Sequence, residues 1–402
     1  MNKFAHLFGG SFFANRDLNR LAVHSALQQL AWGLLSAFSA VFLARQGLSP
    51  AAIFLCLGAI IALRFAIRPA VLISVRAIGL RATLIVGTFL YAVQSPLLAP
   101  VHGLDLALLV YCVAAAAAQA FYWTCYHAMF AAIGSAGDRG SQVGWRQLLV
   151  AIAGAAGPAL GGVALTIAGP WAAFGAAGLV ECIAIVPLIG VASPRIAIAA
   201  PPAAWALYKR GILLLGSDGW IFNTSGWSWN LIMFASLNGR YDAFGGSLAV
   251  LALAGAASGV VLGRFIDRGH VRRATWINAA TLAGTLVAKA VCGSETIAVL
   301  VVALGTTALG GLYIPSLMTA IYNEAKASPC PFRFHFAAEV GWDVGGAAGC
   351  LAAAALCAFG FSLQSVLVLA LPMVAFQAFV LQDSYLSRKS ALAVLATELP
   401  AR

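Results

Sequence analysis

The chain has 402 residues, of which 62% are hydrophobic and only 9% are charged. A soluble domain carries roughly 25% charged residues, so too few are present here to cover a water-soluble core. Together with a mean hydropathy of +0.91, this excludes a soluble globular protein, a disordered chain and a nucleic-acid-binding protein. Lipid must surround most of the chain, and the net charge of +11 fits basic residues collecting in cytoplasmic loops.

Twelve apolar runs are long enough to cross a membrane, which takes about 20 mostly apolar residues. In chain order these predicted spans 1 to 12 cover residues 20–44, 51–75, 80–100, 104–130, 143–167, 170–191, 211–236, 243–264, 274–292, 296–322, 337–359 and 361–381. The predicted fold is an all-α polytopic membrane protein with two six-helix bundles, residues 20–191 and 211–381. An N-terminal segment (1–19), a central loop (192–210) and a tail (382–402) would be cytoplasmic.

The distribution of basic residues supports this arrangement. With both termini inside, all 24 Lys and Arg residues except Arg45, Arg240 and Lys289 lie at or near the inner face. Such an excess is what the positive-inside rule predicts. We therefore expect a multi-pass cell-membrane protein with both termini cytoplasmic, and its Ala-, Gly- and Arg-rich composition is typical of a bacterial inner membrane.

Polar and aromatic side chains recur at helical spacing on spans 1, 4, 7 and 10. Such side chains are costly at membrane depth and usually face a cavity or a partner. On span 7, Trp220, Asn223, Trp227 and Asn230 fall on one face, and indole walls with amide groups suit a neutral or weakly charged polar solute. An aromatic belt with amide bonds between helices is the alternative. The other candidate solute-binding residues are Gln28, Trp32, Gln119, Tyr122, Trp123 and Tyr313.

Acidic and basic residues inside the spans predict a gate between the two bundles. Because they share one depth near the inner face, we expect ion pairs that close the inner side and break when it opens. Snorkelling of the arginines to the lipid phosphates is the alternative. The residues concerned are Asp218, Glu339, Asp343, Arg64, Arg68, Arg146 and Arg264.

Glu181 lies near the middle of span 6, with no basic residue one helical turn away. A carboxyl group in that position should be protonated near neutral pH, because burial disfavours its charged form. Glu181 is therefore either a proton carrier or a silent neutral acid bonded to a neighbouring helix. Asp343 is a second candidate for proton coupling.

The two halves of the sequence contain a local repeat. IIALRFAIRPAV (60–71) and VVLGRFIDRGHV (260–271) share Arg, Phe, Arg and Val at matching positions. Both stretches lie at the inner end of the second span of their half. This match favours duplication of a six-helix unit, which is a known plan of transporters.

The loop after span 8 reads GRFIDRGHVRR, with Gly263, Asp267, Arg268, Arg272 and Arg273 at its motif positions. It resembles the loop motif of the major facilitator superfamily, with one extra residue before the final basic pair. In span 5, GAAGPALGG (154–162) is similar to the glycine–proline motif of the family's proton antiporters; close packing of small residues is the simpler explanation. The resemblance covers the whole chain and implies a central cavity lined by spans 1, 4, 7 and 10.

The chain departs from that family at two places. The acid expected in the first-half loop is missing, because Arg76 or Ile67 stands there, depending on the alignment. Span 4 lacks the arginine of the antiporters and has Gln119 instead. The first departure weakens the usual inner-gate pairing, and the second weakens an assignment as an exporter.

The sequence predicts a monomeric secondary transporter that moves a small polar organic solute by alternating access, with proton coupling. The alternatives are a proton-driven drug or metabolite efflux antiporter, and a transporter-like receptor or assembly factor without flux. The sequence contains no GxxxxGK[ST], HExxH or GxSxG motif and no Cys/His spacing suited to a metal. We therefore expect no enzymatic activity, cofactor, metal or nucleic acid, and only lipid, solute and protons as partners.

Overall fold

The computed structural model describes residues 16–133, 139–194, 205–267, 271–310, 313–328 and 330–383. The first half contains helices α1 (Arg16–Arg45), α2 (Pro50–Ile78), α3 (Leu80–Leu97), α4 (Leu106–Ile133), α5 (Arg139–Ile167) and α6 (Gly169–Ile189). These helices occupy the stretches predicted as spans 1 to 6.

The second half begins with α7, which consists of Trp205–Ile221, a π-helical turn at Phe222–Gly226, and Trp227–Ser236. It continues with α8 (Tyr241–Asp267), α9 (Val271–Val291), α10 in two described parts (Thr296–Gly310 and Tyr313–Ala327), α11 (Pro331–Ala358) and α12 (Leu363–Asp383). The predicted all-α class is confirmed. Helix α11 begins at Pro331 instead of residue 337, because a proline is well suited to the first turn of a helix.

Eight of the described helices are long and apolar enough to cross a membrane, namely α1, α2, α4, α5, α6, α8, α11 and α12. This finding supports a multi-pass membrane protein, and the count of twelve spans stays a prediction. We call the end at which α1 and α11 begin and α2 ends the inner end, because the sequence predicts that it faces the cytoplasm. The opposite end is the outer end.

Local interactions set the positions of several helix ends. The Ser49 hydroxyl caps α2 by accepting a hydrogen bond from the Ala52 N–H at 3.3 Å, and Pro50 follows it at the first helical position. Gly79, with a φ of 84°, turns the chain directly from α2 into α3. Arg81 donates to the Val191 carbonyl at 2.9 Å, just past the end of α6, where a cation also complements the helix dipole.

Each half is held by contacts between its own helices. In the first half α1 packs on α5 and α6, α3 packs on α4 and α6, and α2 packs on α4. In the second half α7 packs on α11, α8 on α10, and α9 on α10 and α12. The halves meet mainly through α2 against α11 and α5 against α8.

Glycines allow the closest of these helix contacts. A Cβ atom at Gly345 of α11 would overlap the Gly216 carbonyl of α7, and one at Gly341 would overlap the Ile212 carbonyl. Between the halves, Gly245 of α8 lies against the Pro158 carbonyl of α5 in the same way. The glycine–proline stretch of α5 therefore packs helices together, as small residues do in membranes.

Candidate functional site

Four charged side chains of the described helices meet between α2 and α11. Arg64 and Arg68 each donate from Nε to one oxygen of the Asp343 carboxylate. Their terminal nitrogens lie 3.5 and 3.3 Å from Oε2 of Glu339. Arg68 and Asp343 are 1% exposed. This four-charge cluster joins the two halves, because α2 belongs to the first and α11 to the second.

The cluster follows from the spacing of its residues along each helix. Arg64 and Arg68 are four residues apart, as are Glu339 and Asp343, so each pair lies on one helix face. Buried charges need partners for all their polar atoms, since desolvation can otherwise exceed the attraction between them. Arg68 meets this need by donating to the Thr124 hydroxyl of α4 at 2.6 Å. The Arg64 guanidinium also lies 4.3 Å from the ring centroid of Trp342.

A histidine pair adjoins this cluster on the side of α4. Nε2 of His127 lies 3.8 Å from Oε1 of Glu339, and its Nδ1 is 3.0 Å from the Tyr322 hydroxyl of α10. The His127 ring also stacks on that of His335, with centroids 5.6 Å apart. His335 is not among the residues predicted from the sequence, although His335, Glu339 and Asp343 follow each other at intervals of four residues. This four-residue spacing places the three side chains on one helix face, and it could have indicated from the sequence that they act together.

Asp218 lies in a separate network, so the prediction that it joins the ring of ion pairs is wrong. The Tyr313 hydroxyl donates to its Oδ1 at 2.6 Å, and the Trp342 indole donates to its Oδ2 at 3.2 Å. Gln377 of α12 donates in turn to the Tyr313 hydroxyl at 3.2 Å. Because Asp218 lies on the face of α7 that meets α10 and α11, its link to Arg64 among the described side chains runs through Trp342. Tyr313 is thereby committed to an interhelical hydrogen bond.

The predicted stripe on α7 is only partly retained. The Trp227 indole donates to Oδ1 of Asn223 at 3.0 Å, so these two residues lie together. The Trp220 indole donates instead to the Leu369 carbonyl of α12 at 2.8 Å. The reason is the π-helical turn at Phe222–Gly226, which adds a residue to one turn and changes the angular spacing. Asn230 is half-buried further along the helix.

The first-half candidates form two groups. Gln28 of α1 donates to Oε1 of Glu181 on α6 at 2.9 Å, and the Tyr122 hydroxyl of α4 is 3.1 Å from Nε2 of His24. Glu181 is 2% exposed, and its Oε2 has no hydrogen-bond partner among the described residues. Glu181 is therefore hydrogen-bonded to a neighbouring helix, and its role as a proton carrier stays a prediction.

The second group consists of two indoles. Trp32 of α1 and Trp123 of α4 meet edge to face with centroids 6.3 Å apart, and both are half-buried. Gln119 is half-buried one turn before Trp123 on the same helix. These three residues, together with Trp227, remain the best candidates to contact a solute. Asn223 is 1% exposed, and its amide already accepts from Trp227 and donates to the Gly219 carbonyl at 2.8 Å.

Part of the predicted site lies outside the described residues. Arg268 is one such residue, and for the rest only the helix backbone is described. This applies to Arg146, Arg264, Gly263, Asp267, Arg272 and Arg273. In the part of the chain that the structure describes, no group of three or more His, Cys, Asp or Glu side chains could hold a metal ion.

No protein-family model and no curated protein matches the sequence. The structure is nevertheless similar to solved transporters. The human organic anion transporter MFSD10 is 14% identical with a TM-score of 0.67, and the match covers 91% of this chain and 99% of that one.

An auto-inhibited POT family peptide transporter is 13% identical with a TM-score of 0.66, covering 93% of this chain and 97% of that one. The E. coli fucose:proton symporter FucP is 12% identical with a TM-score of 0.63, covering 91% and 98% respectively. At these identities the likeness concerns the fold, and it agrees with the loop and helix motifs of the sequence. The chain has the fold of the major facilitator superfamily.

Proposed function

We propose that this chain is a secondary active transporter that moves a small polar organic solute by alternating access, coupled to protons. The observation that carries the proposal is the four-charge cluster between α2 and α11. Well-packed apolar residues would hold two helices together at least as firmly as buried ion pairs do. Ion pairs between the halves are, however, suited to breaking and reforming when one half rocks against the other.

The two halves contact each other through different chemistry at different levels of the bundle, which supports alternation. Toward the inner end, α2 and α11 are joined by the ion pairs. Toward the outer end, Phe38 of α1 meets Tyr241 and Phe244 of α8 edge to face, with centroids 6.3 and 5.7 Å apart. Ion pairs and aromatic contacts are broken under different conditions. The contact between α2 and α11 can therefore open while the contact between α1 and α8 stays closed.

Glu181 supports the proton-coupled form of the proposal. It is buried, accepts one hydrogen bond from a neutral amide, and has no cation beside it in the described part of the chain. Ionisation at such a site is disfavoured, so the carboxyl group can hold a proton until the surrounding helices move. Asp343 is the second candidate, because losing its charge would release both arginines of the cluster.

The solute-binding residues that we propose carry indole side chains and come from both halves of the chain. Trp32, Trp123 and Trp227 supply apolar walls, and Gln119, half-buried one turn before Trp123, supplies an amide. A solute with both apolar and hydrogen-bonding surface suits this set. The similar structures are named for fucose, organic anions and peptides, so the fold itself does not choose the solute.

One alternative function differs from the proposed one in the direction of transport, and another involves no transport. An efflux antiporter would use the same halves, and the glycine–proline stretch of α5 is the feature in its favour, although its packing on α1 and α8 explains it equally well. A receptor or assembly factor without flux would bind its ligand yet fail to move it. Flux across liposomes separates both from an uptake transporter.

The first test is a thermal-shift panel on the purified full chain in detergent at pH values of about 5.5 and 8. Sugars, nucleosides, organic acids, amino acids and peptides are compared, because a ligand of the folded state raises the midpoint by RT ln(1 + [L]/Kd). A ligand whose shift falls in Trp227→Ala, but not in the exposed control Trp276→Ala, supports the site and is carried into flux assays. A ligand whose thermal shift is unchanged in Trp227→Ala, or a ligand that binds without being transported, would overturn the proposal.

A further inference from the structure

Two histidines from different halves stack beside the four-charge cluster. The ring planes of His127 on α4 and His335 on α11 are 20° apart and their centroids 5.6 Å apart. Tyr322 of α10 lies against both rings, with centroid distances of 6.1 and 5.7 Å. Near the inner end, this contact and the cluster together hold α4 against α10 and α11.

His335 is buried without satisfying its polar atoms. It is 1% exposed, and neither ring nitrogen has a hydrogen-bond partner among the described residues. Leaving a buried polar group without a hydrogen-bond partner is unfavourable in free energy. The ring recovers this free energy if it meets water or takes up a proton when the helices around it separate. The closed arrangement therefore holds His335 as a neutral ring, and an open arrangement favours its charged form.

Glu339 connects the histidine pair to the cluster. Its Oε2 lies 3.3 Å from Arg68 and 3.5 Å from Arg64, longer than the ~2.7–2.9 Å of a strong charge-assisted hydrogen bond. Its Oε1 lies 3.8 Å from Nε2 of His127. Asp343, in contrast, contacts both guanidinium groups directly. Glu339 is thus the acid that a positive charge on the stacked pair would draw away from the arginines.

We propose that the stacked His127–His335 pair is a proton switch that opens the inner end of the bundle. His335 is a neutral ring while α4 packs on α11, and a proton on this ring places on the stacked pair a positive charge that the balanced cluster does not compensate. Because it assumes that the inner end opens, the inference rests on the proposed function. Among the described residues, the titratable groups in contact with the pair are Tyr126 on α4, Tyr322 on α10 and Glu339 on α11. Arg64 and Arg68 of α2 contact Glu339 and pair with Asp343. Asp218 on α7 interacts electrostatically with Glu339.

The test measures the opening directly and needs no solute. Spin labels are placed at Ala132 of α4 and Ala327 of α10, two exposed positions near the inner end, in the full chain in lipid nanodiscs. Lowering the pH from about 8 to 5.5 should lengthen the label–label distance by ~2 Å or more, as expected for a rearrangement of whole elements. His335→Phe keeps a stacking ring but takes no proton, so it should keep the short distance at both pH values.

Two further variants make the test decisive. His335→Gln replaces His335→Phe if the latter does not fold, and His102→Gln, in an exposed loop on the outer side, should respond to pH as the unmodified chain does. A distance independent of pH, or a His335 variant that still responds, overturns the switch. If a solute found in the panel changes the distance while pH does not, the transporter stands without the switch. If neither solute nor pH changes it, alternating access fails as well.

Discussion

Among single residues, Asp343 carries the most interactions that join the two halves. Both arginines of α2 donate to its carboxylate, and it is almost fully buried. Removing one member of a buried ion pair leaves its partner uncompensated, which typically costs 3–5 kcal/mol. The stability of the closed protein therefore depends on Asp343 more than on any exposed acid.

Asp343→Asn should lower the free energy of unfolding by about 3–5 kcal/mol, seen as a large fall of the midpoint in thermal unfolding. Asp242→Asn is the matched control, because Asp242 pairs with Arg240 at the surface and exposed pairs contribute little to stability. The double variant Arg68→Gln/Asp343→Asn should lose less than the sum of its two single changes. Equal effects of Asp343→Asn and Asp242→Asn would contradict this interpretation of the cluster.

Glu181→Gln tests whether the buried carboxyl of α6 carries the coupled proton. Glutamine has nearly the same shape and still accepts the hydrogen bond from Gln28, so thermal stability should change by less than about 1 kcal/mol. Proton-driven accumulation of solute in liposomes should be lost, while exchange of solute without a proton gradient continues. Glu295→Gln, at an exposed loop position, should leave both processes unchanged. Retained accumulation in Glu181→Gln would assign the proton to another residue.

At the scale of helices, the contact between α7 and α11 depends on the absence of side chains. Gly341 and Gly345 face carbonyl groups of α7, so the two backbones approach more closely than any larger residue allows. The same contact places Trp342 between Asp218 and Arg64. The glycines thereby position the polar network as well as the helices.

Gly345→Ala should destabilise the protein by about 1–3 kcal/mol or more, because a methyl group at this position overlaps the Gly216 carbonyl and forces the helices apart. Gly305→Ala in α10 is the control. A Cβ there meets nothing within 4 Å, and alanine in a helix is favoured over glycine by roughly 0.5–1 kcal/mol. Thermal unfolding of the two variants should shift in opposite directions. A tolerated alanine at position 345 would show that the seam can widen without cost.

For the whole molecule, movement of α2 against α11 is the central expectation. Near the outer end a Cβ placed at Gly58 of α2 lies 3.2 Å from Cβ of Cys350 on α11. This is close to the roughly 3.5–4.5 Å that a disulfide requires. The native Cys350 therefore offers a place to link the two halves covalently.

Gly58→Cys should form a disulfide with Cys350 under oxidising conditions and stop flux in liposomes, and a reductant should restore it. The link prevents α2 and α11 from separating, which alternating access requires. The same substitution combined with Cys350→Ala should not respond to the oxidant. Undiminished flux in a chain shown to be cross-linked would mean that this pair of helices moves as one unit.

The sequence predicted which residues are charged and buried better than it predicted their partners. Arg64, Arg68, Glu339 and Asp343 were recognised because charges are rare in apolar runs. Asp218 was grouped with them from depth alone, yet it bonds Tyr313 and Trp342, since depth does not reveal the direction in which a helix face points. Trp220 was misplaced because a π-helical turn leaves no clear mark on the spacing of side chains.

Composition, hydropathy and the placement of basic residues by themselves determined the class of protein and the positions of its helices. They could do so because a helix in lipid satisfies its backbone hydrogen bonds within its own segment. Only the tertiary structure decided that Asp343 meets two arginines 275 and 279 residues away and that His127 stacks on His335. Such contacts depend on how helices distant in sequence rotate and pack, and glycines that remove side chains from one face decide how closely they approach.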